Sequence, residues 1–153
     1  MPLNANGIAQ AYAAAEALRG RGIATLVASP LNRARTTAEI AAAALGLALD
    51  IEDRLREVAF GGMEGQPMLP WFDAWVEGEA TPAGAETFAE LRARAVGTVN
   101  RLLQRPGPVL VVGHGAFFRA LRAAMGLPPN VRLPNAMPLY CAPDGPTWRL
   151  LPA

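Results

Sequence analysis

Three kinds of residue suited to handling an anionic group lie at turns of this sequence. They are His114 in "VLVVGHGAFFRAL", Arg33 in "SPLNR", and a glutamate, Glu57 or Glu64, in "LREVAFGGMEG". His114 is the one histidine of the chain. It stands between two glycines, after an apolar run and before a helical pattern. Glycines allow close backbone approach, and the N–H groups at a helix start attract anions. A histidine at such a point can donate to a phosphate oxygen, so His114 and Gly115 read as phosphate-binding candidates. The plainer reading is a histidine that caps a strand and bonds to backbone. A zinc site is not expected, because there is no second histidine and Cys141 lies in a different kind of segment.

Arg33 and Arg35 fall in the first turn of a predicted helix, where the dipole disfavours cations. An anionic ligand offsets that penalty, and a guanidinium grips phosphate with two parallel hydrogen bonds. Arg35, two positions along, faces elsewhere and reads as a surface residue. A carboxyl group beside bound phosphate can protonate a leaving oxygen. Residue chemistry leaves Glu57 and Glu64 equal for that role, and a solvated loop glutamate is the bland alternative for both.

These residues need a scaffold, and the pattern along the chain supplies one. "NGIAQAYAAAEALRGRG" reads as a helix with Ile8, Ala11, Ala15 and Leu18 on one face, ended by Gly20 and Gly22. Ile23 to Ser29 reads as a buried strand, and "RARTTAEIAAAALG" as a helix stopped by Gly46. Leu47 to Ile51 is a weaker strand. The glycine-rich stretch around Glu57 and Glu64 reads as a loop, followed by a short helix over Trp71 to Val76. Phe88, Leu91, Ala95, Val99 and Leu102 mark the clearest helix. Four aliphatic residues, Val109 to Val112, predict a fully buried strand, and "AFFRALRAAMG" the next helix. The tail predicts a hairpin turning at Asp144-Gly145.

Strand and helix alternate, which predicts an α/β fold: a three-layer α/β/α arrangement with a mainly parallel sheet in one domain over residues 1–153. In such sheets ligands gather at the carboxyl ends of the strands, where "SPLNR" and "GHG" both fall. Trp71 and Trp75, at helical spacing, read as core packing. Arg19, Arg21, Arg92, Arg94, Arg119 and Arg122 read as solvated faces.

The composition is that of a globular chain, 52% hydrophobic and 18% charged. A formal net charge of +1 gives no overall bias toward nucleic acid or an acidic membrane. No apolar run reaches the length of a membrane span, and the start lacks a signal-peptide pattern. A lone cysteine forms no intramolecular disulfide, which fits a cytoplasmic location. His114 and Arg33 make phosphate the expected ligand, and neither nucleic acid nor membrane is an expected partner.

Taken in order, the motifs resemble those of the histidine phosphatase superfamily, also called phosphoglycerate mutase-like. "PLNANGIAQA" is similar to the family's PLT-x-x-G-x-x-QA at Pro2, Leu3, Gly7, Gln10 and Ala11. "SPLNRARTTA" is similar to SPL-x-RA-x-QTA, with Thr36 where glutamine is usual. "LREVAFGGMEG" resembles L-x-E-x-x-FG-x-x-EG, "VVGHGAFFRAL" the second-histidine motif, and Asn135-Ala136 the small motif before the last strands. Each motif is weak alone; the ordered set covers nearly the whole chain. The resemblance implies metal-independent phosphoryl transfer without a cofactor. A first histidine, in an RHG motif, attacks phosphorus. Arginines clamp the phosphate, a second histidine supports the transferring group, and a glutamate protonates the leaving oxygen. Carried over by motif, Arg33 is the clamp, His114 the second histidine and Glu57 the acid, in preference to Glu64.

The RHG motif is missing from the sequence, and with it the nucleophile and one clamp arginine. In the family the strand that bears it lies beside the "VLVVGH" strand, so its loss predicts unpaired N–H and C=O groups. Each buried one costs about 1–3 kcal/mol, against the roughly 5–15 kcal/mol that holds a domain together. Three accounts follow: the sheet closes over the gap, another chain covers the edge as in a homo-oligomer, or the chain is an incomplete version of a longer protein with a late assigned start. The last is favoured, and the DNA upstream of Met1 tests it. The expected function is a phosphomonoesterase, preferred over a mutase and inactive or strongly impaired in this chain. The alternatives are a non-catalytic phospho-ligand or partner-binding relative, or a fragment without a role of its own.

Overall fold

The computed structural model describes residues 2–63 and 70–153. Helix α1 (Ala5–Leu18) starts where the Asn4 side chain accepts a hydrogen bond from the Gly7 N–H at 2.8 Å, and it buries Ala11, Ala15 and Leu18. Ile8, expected on that buried face, is exposed. Strand β1 (Thr25–Ala28) is buried throughout. Helix α2 (Asn32–Leu45) ends at Gly46, whose φ of +67° places it in the left-handed region that glycine enters without strain. Strand β2 (Leu49–Ile51) is short and mostly exposed. A 3-10 turn, Asp53–Leu55, leads into the stretch expected to be loop, and a second, Gly61–Met63, lies within that stretch.

Helix α3 (Trp71–Val76) occupies its predicted span. Helix α4 (Phe88–Leu102) opens with a reciprocal cap: the Thr87 side chain accepts from the Glu90 N–H, and the Glu90 side chain accepts from the Thr87 N–H. Strand β3 (Val109–Val112) leads through Gly113 and His114 into helix α5 (Gly115–Ala124). Strands β4 (Leu139–Asp144) and β5 (Thr147–Pro152) pair antiparallel around Gly145-Pro146, close to the expected turn.

The parallel sheet has the order β2-β1-β3. The hairpin forms a separate two-stranded sheet. Alternation along the strands divides the core. Leu26 and Ala28 point toward Ala38 and Ala41 of α2, with Leu110 and Val112 beside them. Val27, Val109 and Val111 point the other way, toward α3, α4 and α5. The structure is therefore α/β with helices against both faces of a parallel sheet. β3 corrects the sequence expectation. Read as fully buried, its four residues are each half-buried. The reason is topological: β3 pairs with β1 on one side only, from Thr25↔Val109 to Ala28↔Val112, and is an edge strand among the described residues. Among those residues no helix is long and apolar enough to cross a membrane.

Candidate active site

Parallel pairing in register brings the carboxyl ends of β1 and β3 level, and the Ser29 N–H extends the ladder by donating to the Val112 carbonyl at 3.0 Å. Ser29 and His114 consequently leave their strands side by side. Ser29 is fully buried, and its Oγ accepts from the Leu31 N–H at 3.2 Å. The same Oγ shares a hydrogen bond of 2.8 Å with His114 Nε2. His114 is the N-cap residue of α5 and is half-buried.

Glu57 arrives from the segment after the first 3-10 turn, and its carboxylate lies across the start of α5. Oε2 accepts from the Ala116 N–H and Oε1 from the Phe117 N–H, each at 3.0 Å. Oε1 also accepts from the Val58 N–H at 3.2 Å. The sequence reading made this helix start an anion site, and its anion within the protein is Glu57. The Phe118 N–H bonds to the His114 carbonyl, so among the described residues Gly115 is left with the open amide of that turn. A Cβ added at Gly113 or Gly115 would meet no atom within 4 Å. The flanking glycines are thus not demanded by any neighbouring atom of the described residues.

Arg33 lies exposed in the first turn of α2, and its side chain makes no hydrogen bond or ion pair with another described residue. Its charge nonetheless reaches His114. Arg35, as expected, is a surface residue, paired with Glu39 at 3.1 Å. Glu64 lies outside the described residues. Among the described residues no group of three or more His, Cys, Asp or Glu side chains is placed to hold a metal ion.

Burial, with the charges of Arg33 and Arg94 adding to it, pulls the His114 imidazole down to about 4, so it is neutral at neutral pH. Burial pushes the Glu57 carboxyl up, against the pull of three backbone N–H donors and the Arg94 charge. A half-buried carboxyl that holds its proton more tightly than usual is suited to proton donation. The signs for stability are opposite. His114 contributes stability that is complete above its ordinary 6.5 and is lost as pH falls toward about 4. Glu57 contributes stability present below the ordinary carboxylate range and lost as pH rises through its raised value. Since the chain has one histidine, its Cε1 proton gives an unambiguous NMR signal. The expected titration midpoint is near 4; a midpoint at or above 6 would contradict the buried, cation-flanked setting.

Two further residues escaped the sequence reading. Ser29, first residue of "SPLNR", reads in the sequence as a strand end, yet it orients the imidazole. Arg94 was read as solvated. Its Nε and Nη2 instead donate to both Glu86 carboxylate oxygens at 3.0 and 2.9 Å, and Nη1 donates to the carbonyls of Arg54 and Arg56 at 2.7 and 2.8 Å. A signal was available: Arg94 follows Leu91 by three positions and precedes Thr98 by four, which is the buried face of α4. Arg119 and Arg122 also depart from the solvated reading. The Arg119 guanidinium sits 4.8 Å over the Phe72 ring, and Arg122 Nε donates to the Pro128 carbonyl.

A sequence profile of the histidine phosphatase superfamily (branch 1) matches residues 1–140. A probable phosphoglycerate mutase GpmB of Yersinia enterocolitica is 35% identical over 142 residues, covering 84% of this chain and 66% of the relative. The Yersinia pestis protein of the same description is 34% identical over 140 residues, covering 83% of this chain and 65% of its own length. The chain thus spans just under two thirds of the curated relatives it matches. Among solved structures, a mycobacterial glucosyl-3-phosphoglycerate phosphatase with VO3 superposes with a TM-score of 0.78 at 30% identity, covering 98% of this chain and 85% of that one. The same phosphatase has been solved with inorganic phosphate. Bacillus stearothermophilus YhfR superposes with a TM-score of 0.82 at 25% identity, covering 99% and 83% of the two chains.

Proposed function

Because the chain belongs to the histidine phosphatase superfamily, branch 1, we propose that its site serves metal-independent phosphoryl chemistry on a small phosphorylated metabolite, phosphomonoester hydrolysis in preference to mutase transfer. One observation carries this reading: the Glu57 carboxylate lies on the turn that follows His114, while Arg33, in the first turn of α2, has no side-chain partner among the described residues. The ligands named for the mycobacterial relative, VO3 and inorganic phosphate, belong to the class that such a group would hold.

In this reading Arg33 grips two phosphate oxygens and the open Gly115 amide takes a third. His114, oriented by Ser29, supports the transferring group. Glu57, protonated more readily than an ordinary glutamate, gives its proton to the leaving oxygen. The nucleophile is the step for which the 153-residue chain has no histidine, since its one histidine is His114. This chain is therefore expected to bind phosphate and to turn over phosphomonoesters very slowly or not at all. That single histidine also favours a second reading, a non-catalytic relative that holds a phosphorylated ligand.

Two measurements separate these readings. Titration with inorganic phosphate, followed through the His114 ring signals, is expected to show saturable shifts at millimolar ligand. Arg33→Ala removes a charge-assisted hydrogen bond and should weaken binding by about 1.5–3 kcal/mol, roughly tenfold or more. Absence of any shift would remove both readings. Hydrolysis of an aryl phosphate that is abolished by His114→Ala favours the enzyme; binding without turnover favours the ligand-holding relative.

A further inference from the structure

We propose that Arg94 is the positioning residue of this site: from α4 it clamps the segment bearing Glu57, and so keeps the Glu57 carboxylate on the amides that follow His114. The geometry is that of a four-way joint. One edge of the guanidinium is held by Glu86, just before α4, through both carboxylate oxygens. Nη1 holds the carbonyls of Arg54 and Arg56, the latter belonging to the residue immediately before Glu57. The guanidinium carbon lies 5.7 Å from the centre of the Phe117 ring, and Phe117 supplies one of the two α5 amides that Glu57 bonds. The side chain is 20% exposed and its partner Glu86 is 25% exposed, so water competes little for the bonds between these two. Arg94 therefore touches the chain before Glu57 and the helix that receives Glu57.

Leu55 and Val58 anchor the segment in the core on either side of Glu57, and Arg94 is its polar anchor from α4. Among the described residues the Glu57 carboxylate bonds the Val58, Ala116 and Phe117 amides. Among the described residues the charged groups that act on it are Arg94 from α4 and Arg119 from α5. A planar guanidinium spans a carboxylate and two carbonyls at once; a lysine ammonium offers three donors from one point and cannot. Arg94→Lys thus keeps the charge and removes the clamp. The inference rests on the functional reading above only for the proton-donor role of Glu57.

The test is the amide NMR spectrum of the full chain across the acidic to neutral range. In the wild type, the Ala116 and Phe117 amides are expected to shift together as Glu57 ionises, and Glu57→Gln abolishes that movement. In Arg94→Lys the pH-linked movement of these two amides is expected to be lost or displaced, while the α1 and α2 amides keep their positions. Glu86→Gln, which loosens one edge of the clamp and leaves both carbonyl bonds, should displace it in the same direction by less. A residue that merely stabilised the fold would lower the unfolding midpoint and leave both amides titrating as in the wild type, and that result overturns the proposal. Should Arg94→Lys fail to fold, Glu86→Gln decides by the same criterion. Neither measurement needs turnover or phosphate, so failure of the phosphatase reading and failure of the clamp are told apart.

Discussion

Trp75→Ala is expected to lower the stability of the chain by about 3–5 kcal/mol, a large part of what a domain this size holds. Trp75 is fully buried, the largest side chain to be so among the described residues. Its ring meets Phe60, Phe72 and Phe88 at centroid distances of 4.9, 5.5 and 5.2 Å. Truncation leaves these aromatic faces around a void and also removes the hydrogen bond from the indole N–H to the Glu86 carbonyl at 2.9 Å. Glu86 is also the carboxylate that holds Arg94, so the damage reaches the site. Trp75→Phe keeps most of the packing and loses the hydrogen bond, and its cost should be distinctly smaller. Urea unfolding followed by far-ultraviolet circular dichroism measures both; a loss below about 1 kcal/mol for the alanine variant would be inconsistent with a filled core at this point.

Gly61→Ala is the second large effect. Gly61 has a φ of +57°, and an added Cβ would lie 2.0 Å from the Ala83 carbonyl oxygen and 2.9 Å from the Gly84 carbonyl carbon. The positive φ alone costs a non-glycine residue about 1–3 kcal/mol. The clash adds to this, because the obstacle is backbone and cannot rotate away. The two segments must part, which breaks the hydrogen bond from the Gly62 N–H to the Ala83 carbonyl. Gly46→Ala is the control: φ is +67° and no atom lies within 4 Å of its added Cβ. Thermal unfolding of both variants isolates the contact. Gly61→Ala should cost clearly more, and equal costs would show that the docking of these two segments contributes nothing.

Much of the site was legible because its motifs sit where chain direction changes. His114 follows an aliphatic run and precedes a helix, so its place at a strand end could be read locally. Arg33 was legible for the same reason. Glu57 and Glu64 could not be separated by residue chemistry, since both lie in one glycine-rich stretch; the family motif favoured Glu57. Arg94 was misread because "LRARA" offers two arginines in alternate positions, and composition does not say which faces inward. The phase of Leu91, Ala95 and Thr98 does, and it puts Arg94 on the inner side. The exposure of Ile8 shows the limit of the same rule, for a residue in phase with a buried face still needs a neighbour at that end of the helix.

By itself the sequence determined the elements, their order and the residues that could meet an anion. Those depend on local physics: side-chain periodicity, the Thr87–Glu90 cap, the left-handed stop at Gly46 and the turn at Gly145. Only the tertiary structure decided that Ser29 holds the imidazole of His114 and that the amides of the α5 start bond a carboxylate of the protein's own. Each of these joins residues far apart in the chain, through pairing register and burial. No local pattern encodes them, because a hydrogen bond across the fold depends on where both ends are brought.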